Sequence, residues 1–330
     1  MISGTAPVGL AELQTGIEPR LGAVREEIRR LIEADFPLIA LANSHLTQMR
    51  GKMFRPTLLL LADAATAAVP DPCAVSLAAV VELIHLATLV HDDAVDHSVL
   101  RRGMPTLNAV FSHQIAVIMG DYLYSRAVIE LVRLADLEAL RVLSRVTNEM
   151  TVGEMRQLLA HDPLAFSEED YDLLIRAKTA SLISGACEVG GLRGSPTERE
   201  AMRHFGEGLG MAFQIVDDLL DFTGAEAVTG KPAGLDLREH KVTLPLIHAL
   251  PRMSPAQRLE VESLMNNPAP GDTDIARVVA AVTECGGLEY AHARAQSFCA
   301  SAEAALDALR PSAAREQLRA SLSYVLERRH

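Results

Sequence analysis

The chain has 330 residues, 49% of them apolar, with only 4% aromatics and no Trp. A core made of Leu, Ala, Val, Ile and Met favours helices, since Ala and Leu lead the helix scale while aromatic and β-branched residues prefer strands. The net charge of −12 argues against nucleic-acid backbones and anionic lipid as partners.

We read residues 1–330 as one domain, with residues 1–20 as the segment where flexibility is expected. Cys73, Cys187, Cys285 and Cys299 are scattered and form no CxxC pair. Reduced thiols in the cytoplasm are the simplest reading. Met1 to Gly16 shows no secretory pattern.

In chain order, residues 7–50 read as one or two amphipathic helices, with Ile17, Leu21, Val24, Ile28 and Leu31 at helical spacing. Gly51-Lys52-Met53-Phe54-Arg55-Pro56 follows. Pro56 suits the first turn of a helix, and free N–H groups at a helix entrance favour anions. Lys52 and Arg55 therefore read equally as surface charge or as phosphate ligands.

The apolar run Ala74 to Val90 is interrupted by Glu82 and His85, which marks a buried helix and not a transmembrane segment. It continues into Asp92-Asp93-Ala94-Val95-Asp96. Asp92 and Asp96 share a helix face, where like charges repel by roughly 0.2–0.5 kcal/mol. Either this is a solvated acidic face or it binds divalent cations, which take oxygen ligands. His85, two turns before Asp92, lies on nearly the same face. It is either a core residue or a phosphate donor, and His91 reads as packing. Arg101-Arg102-Gly103-Met104-Pro105 forms a loop. Its arginines either neutralise the aspartates or clamp phosphates.

Thr106 to about Ala160 reads as helical throughout. Asp121 to Tyr124 looks structural, and Gly153 to Gln157 is polar without an assigned role. Ser167 and Asp170 form a helix start. Lys178-Thr179 lies on the helix that follows, as a polar spot or as surface charge. Gly206, Gly208 and Gly210 make a GxGxG run, but no strand precedes it, so close helix packing replaces a dinucleotide reading. Gln214 shares a face with the second triad, Asp217-Asp218-Leu219-Leu220-Asp221. Thr223 to Lys241 reads as a Gly-containing lid with Lys231 and Lys241. Pro245 opens or kinks the next helix. Residues 252–330 read as Ala-rich helices broken near Asn266 to Gly271, ending in the basic tail Arg328-Arg329-His330.

These motifs, together and in this order, resemble the trans-isoprenyl diphosphate synthases, the polyprenyl synthetase family. The resemblance runs from about residue 20 to the end. Two positions depart from it: Met53 replaces a commoner Arg or Lys, and His240 replaces a commoner Gly. The resemblance implies an all-α bundle around a deep central cavity and a homodimer. It implies Mg²⁺, about three ions per site, held mainly by Asp92, Asp96 and Asp217 with support from Asp93, Asp218 and Asp221. Arg101, Lys178, Thr179, Gln214, Lys231 and Lys241 would hold the allylic diphosphate, with Lys178, Thr179 and Gln214 nearest the chemistry. Lys52, Arg55, His85 and Arg102 would hold isopentenyl diphosphate. The implied reaction is head-to-tail condensation of isopentenyl diphosphate with dimethylallyl, geranyl, farnesyl or geranylgeranyl diphosphate.

Ala87 and Thr88 lie roughly 6–8 Å down the helix from Asp92. Both are small, so products longer than farnesyl are expected, with Ile84 one turn deeper as a candidate floor. The pattern is most similar to medium- and long-chain members. A class I terpene cyclase would need no second diphosphate site, and a non-catalytic partner subunit would tolerate lost metal ligands. The intact cationic and acidic sets argue against both.

Overall fold

The computed structural model describes residues 9–49, 51–101, 103–159, 163–223 and 234–328. The chain opens with a short turn, α1 (Leu10–Leu13), then α2 (Glu18–Ile32) and α3 (Pro37–Gln48). α4 (Phe54–Thr66) carries Leu58 to Leu61, all fully buried. α5 (Ala74–Val95) is apolar and long enough to cross a membrane, yet most of it is covered by protein. Asp96 is its C-cap.

A two-stranded hairpin follows, β1 (Leu100–Arg101) against β2 (Met104–Pro105), with Arg101 paired to Met104. Gly103 takes φ +75° at its turn, a conformation open to glycine.

The stretch expected as continuous helix from Thr106 breaks twice, into α6 (Leu107–Val110), α7 (His113–Leu134) and α8 (Leu137–Leu159). Ser112 caps α7 by accepting from the Ile115 amide. Asp136 Oδ1 accepts from the Glu138 and Ala139 amides at 3.1 and 3.0 Å. Hydrophobic periodicity runs on through both breaks, and only these capping side chains mark them.

α9 (Glu168–Ile175) starts at the expected capping box of Ser167 and Asp170. It passes into a π-helical turn, Arg176–Ala180, and then α10 (Ser181–Gly190). α11 (Pro196–Thr223) is the longest helix among the described residues. Its GxGxG run packs closely, as expected. A Cβ on Gly206 would meet the Ser184 Cα at 2.7 Å, and one on Gly210 the Ala180 Cα at 2.6 Å. Glycine here brings α11 against α10 and the π-helical turn at backbone distance.

Beyond α11, helices span Leu235–Arg238, Leu244–Ala249, Pro255–Met265, Asp272–Glu284, Gly287–Ala305 and Ala313–Leu326. Pro245 sits in the first turn of its helix, and a break falls at Asn266 to Gly271. The main core joins α4, α5, α10 and α11. A satellite core built around Phe222, Leu237, Val242, Leu246, Val261 and Val282 lies beyond the second triad. Ile247 and Leu288 pack against both cores and join them.

Candidate active site

The first triad occupies the last turn of α5. Asp92 is half-buried, Asp93 buried and Asp96 exposed. Burial pushes the Asp92 carboxyl up to about 6, opposed by Lys178 and reinforced by Glu154 and Asp96. Asp93 lies about 100° round the helix from Asp92. There it meets Arg101, whose Nε donates to both carboxylate oxygens at 2.8 and 2.9 Å.

The π-helical turn links the two acidic helices. Its wider register turns two adjacent side chains to different neighbours. Lys178 Nζ lies 4.0 Å from Asp92 Oδ2 and 2.7 Å from Glu154 Oε2, and it donates to Gln157 Oε1 at 3.1 Å. Thr179 Oγ1 donates to Gln214 Oε1 at 2.7 Å on α11. Gly153 lets α8 come close, since a Cβ there would meet the Ala177 Cβ at 2.6 Å. Glu154 and Gln157 are thus the role of the polar stretch that carried none in the sequence. Their three-residue spacing on one helix face was the available signal.

The second triad divides by helix face. Gln214 Nε2 donates to Asp218 Oδ1 at 2.8 Å, and the Tyr171 hydroxyl donates to Asp218 Oδ2 at 2.6 Å. Burial first, then Asp236, pushes the Asp218 carboxyl up to about 8. Both Asp218 oxygens therefore serve neighbouring side chains. Asp221 is engaged with the backbone: its Oδ1 and Oδ2 accept from the Leu235 and Asp236 amides, each at 3.0 Å. Asp217 is half-buried and faces Arg328, whose Nη2 is 2.9 Å from Oδ1. Burial raises the Asp217 carboxyl against the pull of Arg328, Lys52 and Arg55.

Arg328 comes from the basic tail. Its guanidinium lies 4.3 Å over the Phe213 ring, and Phe213 stacks on Phe54 at 5.6 Å. The Arg328 Nε and Nη1 groups are buried and have no partner among the described residues. An unsatisfied buried guanidinium beside a carboxylate suits an anion that brings its own cation.

Met53 adopts a left-handed φ of +56° immediately before α4. Lys52 is exposed, Arg55 half-buried in the first turn of α4, and His85 half-buried on α5. Burial pulls the Lys241 ammonium down, but Glu239, Asp236 and Asp96 outweigh it and raise its pKa. This lysine thus feels the first triad through Asp96. Ile84 and Ala87 are almost fully buried, while Thr88 is half-buried and donates to the His85 carbonyl at 2.8 Å. Arg102, Lys231, Arg329 and His330 lie outside the described residues.

Among the described residues, no three acidic, His or Cys side chains converge into a self-sufficient cation cage. Carboxylates stand on two helices with cations beside them, Lys178 near Asp92, Arg101 on Asp93 and Arg328 on Asp217. The polyprenyl synthetase family profile matches residues 37–282. The chain is 39% identical over 298 residues to the all-trans-nonaprenyl-diphosphate synthase (geranyl-diphosphate specific) of Rhodobacter capsulatus, covering 90% of this chain and 91% of that one. It is 36% identical over 312 residues to heptaprenyl diphosphate synthase component 2 of Geobacillus stearothermophilus, covering 93% and 95%. The crystal structure of a Caulobacter crescentus polyprenyl synthase, complexed with calcium and isoprenyl diphosphate, superposes with a TM-score of 0.92 at 33% identity, covering 99% and 100%. The fold and site define a prenyltransferase of the all-α isoprenoid synthase class. The chain belongs to the polyprenyl synthetase family, and it is a trans-polyprenyl diphosphate synthase.

Proposed function

We propose that Asp92, Asp96 and Asp217 are the principal ligands of Mg²⁺, and that Asp93, Asp218 and Asp221 support the site from behind. The donor set fits this ion: hard carboxylate oxygens, with room left for substrate phosphates. Bound there, Mg²⁺ would supply Lewis-acid stabilisation of the pyrophosphate leaving group. The arrangement that carries the reading is the π-helical turn, with Lys178 toward Asp92 and Thr179 toward Gln214.

On this reading Lys178, Arg101, Lys231 and Lys241 bind the allylic diphosphate and stabilise the charge that develops on it. Lys52, Arg55, His85 and Arg102 hold isopentenyl diphosphate, and the orphaned nitrogens of Arg328 add donors for a diphosphate. Thr179 and Gln214 present oxygens to the allylic cation. The terminal carbon of the isopentenyl double bond attacks that cation, leaving a tertiary cation at C3, and a proton then leaves the adjacent C2 as its C–H electrons form the new double bond. The apolar wall below Asp92, including Thr88, Ala87 and Ile84, receives the tail and excludes water. Incubation with Mg²⁺, isopentenyl diphosphate and farnesyl diphosphate should yield all-trans products longer than the primer. Absence of any elongated product would end this reading.

We infer a homodimer as the working assembly. Ile118, Ile129 and Val132 form an exposed apolar stripe along α7, at 63%, 56% and 63% exposure. Such a stripe is a candidate subunit interface. The name of the Geobacillus relative, a component 2, makes a second, different subunit the alternative outcome. Light scattering of the pure protein distinguishes a dimer of this chain from a monomer awaiting a partner. The four free cysteines support a cytoplasmic setting.

A further inference from the structure

Thr179, Gln214, Asp218 and Tyr171 form one unbranched line of hydrogen bonds. Thr179 donates to Gln214 at 2.7 Å, Gln214 to Asp218 at 2.8 Å, and Tyr171 to the other Asp218 oxygen at 2.6 Å. Tyr171 is 2% exposed and Asp218 5% exposed, so no solvent is at hand to replace a missing partner.

The direction of this line follows from its chemistry. The Tyr171 hydroxyl donates to one Asp218 oxygen and Gln214 Nε2 to the other, so the Gln214 amide turns its nitrogen to Asp218 and its oxygen to Thr179. The oxygen then takes the single hydroxyl proton of Thr179. What Thr179 has left for the site mouth is lone pairs. An acceptor helps where positive charge forms, whereas a hydroxyl proton pointed at the same place would oppose it.

We propose that Tyr171 is a positioning residue for prenyl transfer, fixing through Asp218 the order of the Gln214–Thr179 pair so that its oxygens face the allylic cation. This rests on the role given to Thr179 and Gln214 above. The Asp218 carboxylate has two anchors, one on each oxygen. With the phenol gone it keeps one, and rotation about its terminal torsion disturbs the amide it holds. Tyr171 stands on α9 eight residues before Thr179, so this helix carries both the anchor and, through the π-helical turn, the residue it serves. Asp218 thereby acts as an orienting group within the second triad.

The test is a double-mutant cycle with Tyr171→Phe and Thr179→Val, using Mg²⁺, isopentenyl diphosphate and farnesyl diphosphate. Tyr171→Phe should lower kcat about tenfold, the weight of one buried hydrogen bond, and leave KM for isopentenyl diphosphate unchanged. In the Thr179→Val background the same substitution should cost nothing further, because the group it serves is absent. Thr179→Ser should restore the sensitivity. If Tyr171→Phe proves unfolded by circular dichroism, Asp218→Asn enters the cycle in its place, since an amide no longer enforces the order. Losses that multiply across the cycle, or a Tyr171→Phe enzyme with wild-type kcat, overturn the proposal. A wild-type protein that makes no prenyl product defeats instead the site assignment on which it rests.

Discussion

Arg328 sits on Asp217, with Nη2 2.9 Å from Oδ1 and the guanidinium stacked over Phe213. The last helix of the chain thereby reaches the second acidic helix, and Phe54, which stacks on Phe213 and contacts Tyr324, joins α4 to the same corner. Without substrate this arginine partly neutralises the carboxylate assigned to the metal. A metal-bound diphosphate would offer it oxygens in exchange, and its two unsatisfied nitrogens are ready donors.

Arg328→Ala should therefore weaken substrate binding more than turnover. The expected change is a rise in KM for a diphosphate substrate of about tenfold or more, the weight of charge-assisted hydrogen bonds. Arg328→Lys keeps the charge but loses the planar stack on Phe213, and should fall between wild type and Ala. Steady-state kinetics with each diphosphate varied in turn reads this directly. Unchanged KM values for both substrates would remove Arg328 from the site.

Asp217 and Asp221 share a helix face by spacing, yet their surroundings separate them. Asp217 faces cations. Asp221 receives two backbone amides from the start of the Leu235–Arg238 helix. Asp217→Asn should lower kcat/KM by about 100-fold or more, as expected when charge stabilisation is lost. Asp221→Ala removes a helix cap and should cost about 1 kcal/mol of stability, seen as a lower midpoint in thermal melts. Its activity should fall less than that of Asp217→Asn at saturating Mg²⁺. The reverse ranking would assign the metal to Asp221.

The acidic helices were legible in sequence because charges at four-residue spacing inside apolar helices have few structural uses. The close packing at Gly206 and Gly210 was legible for the same kind of reason. The π-helical turn was not, since its extra residue leaves the hydrophobic pattern almost unchanged. Tyr171 carried no functional signal, because an aromatic on an amphipathic helix is normally core. The backbone partners of Asp221 lie 14 and 15 residues onward, beyond the reach of any local pattern. Both departures from the family pattern, Met53 and His240, fall at left-handed positions with φ of +56°. A sequence shows the substitution there, but not the backbone that gives it meaning.

His240 illustrates the point. Glycine would adopt its φ without strain, and the histidine pays for that strain through its ring, whose Nε2 lies 2.9 Å from the Asn267 carbonyl. His240→Ala keeps the strain and loses the bond, so it should destabilise by about 1–2 kcal/mol. His240→Gly loses the bond and relieves the strain, so it should sit closer to wild type. Thermal unfolding of the two variants side by side gives the comparison. Equal losses would mean that the φ carries no cost here.

Product length is the property most open to engineering. Thr88 lies one turn below Asp92 and about 40° round the helix from it, whereas Ala87 lies about 140° away. Thr88 is half-buried and Ala87 is 2% exposed. A bulky ring at 88 should therefore enter the space that receives the tail, and one at 87 should first press on the packing around it. Thr88→Phe should shorten the main product by several isoprene units with kcat for the first condensation retained. Ala87→Phe should also shorten it, at a stability cost of about 1–3 kcal/mol for overpacking. Reversed-phase chromatography of the dephosphorylated products, run beside thermal melts, separates the two effects. If Thr88→Phe leaves the product distribution of the wild type intact, the growing chain does not run along this face of α5, and the floor must be sought on another helix.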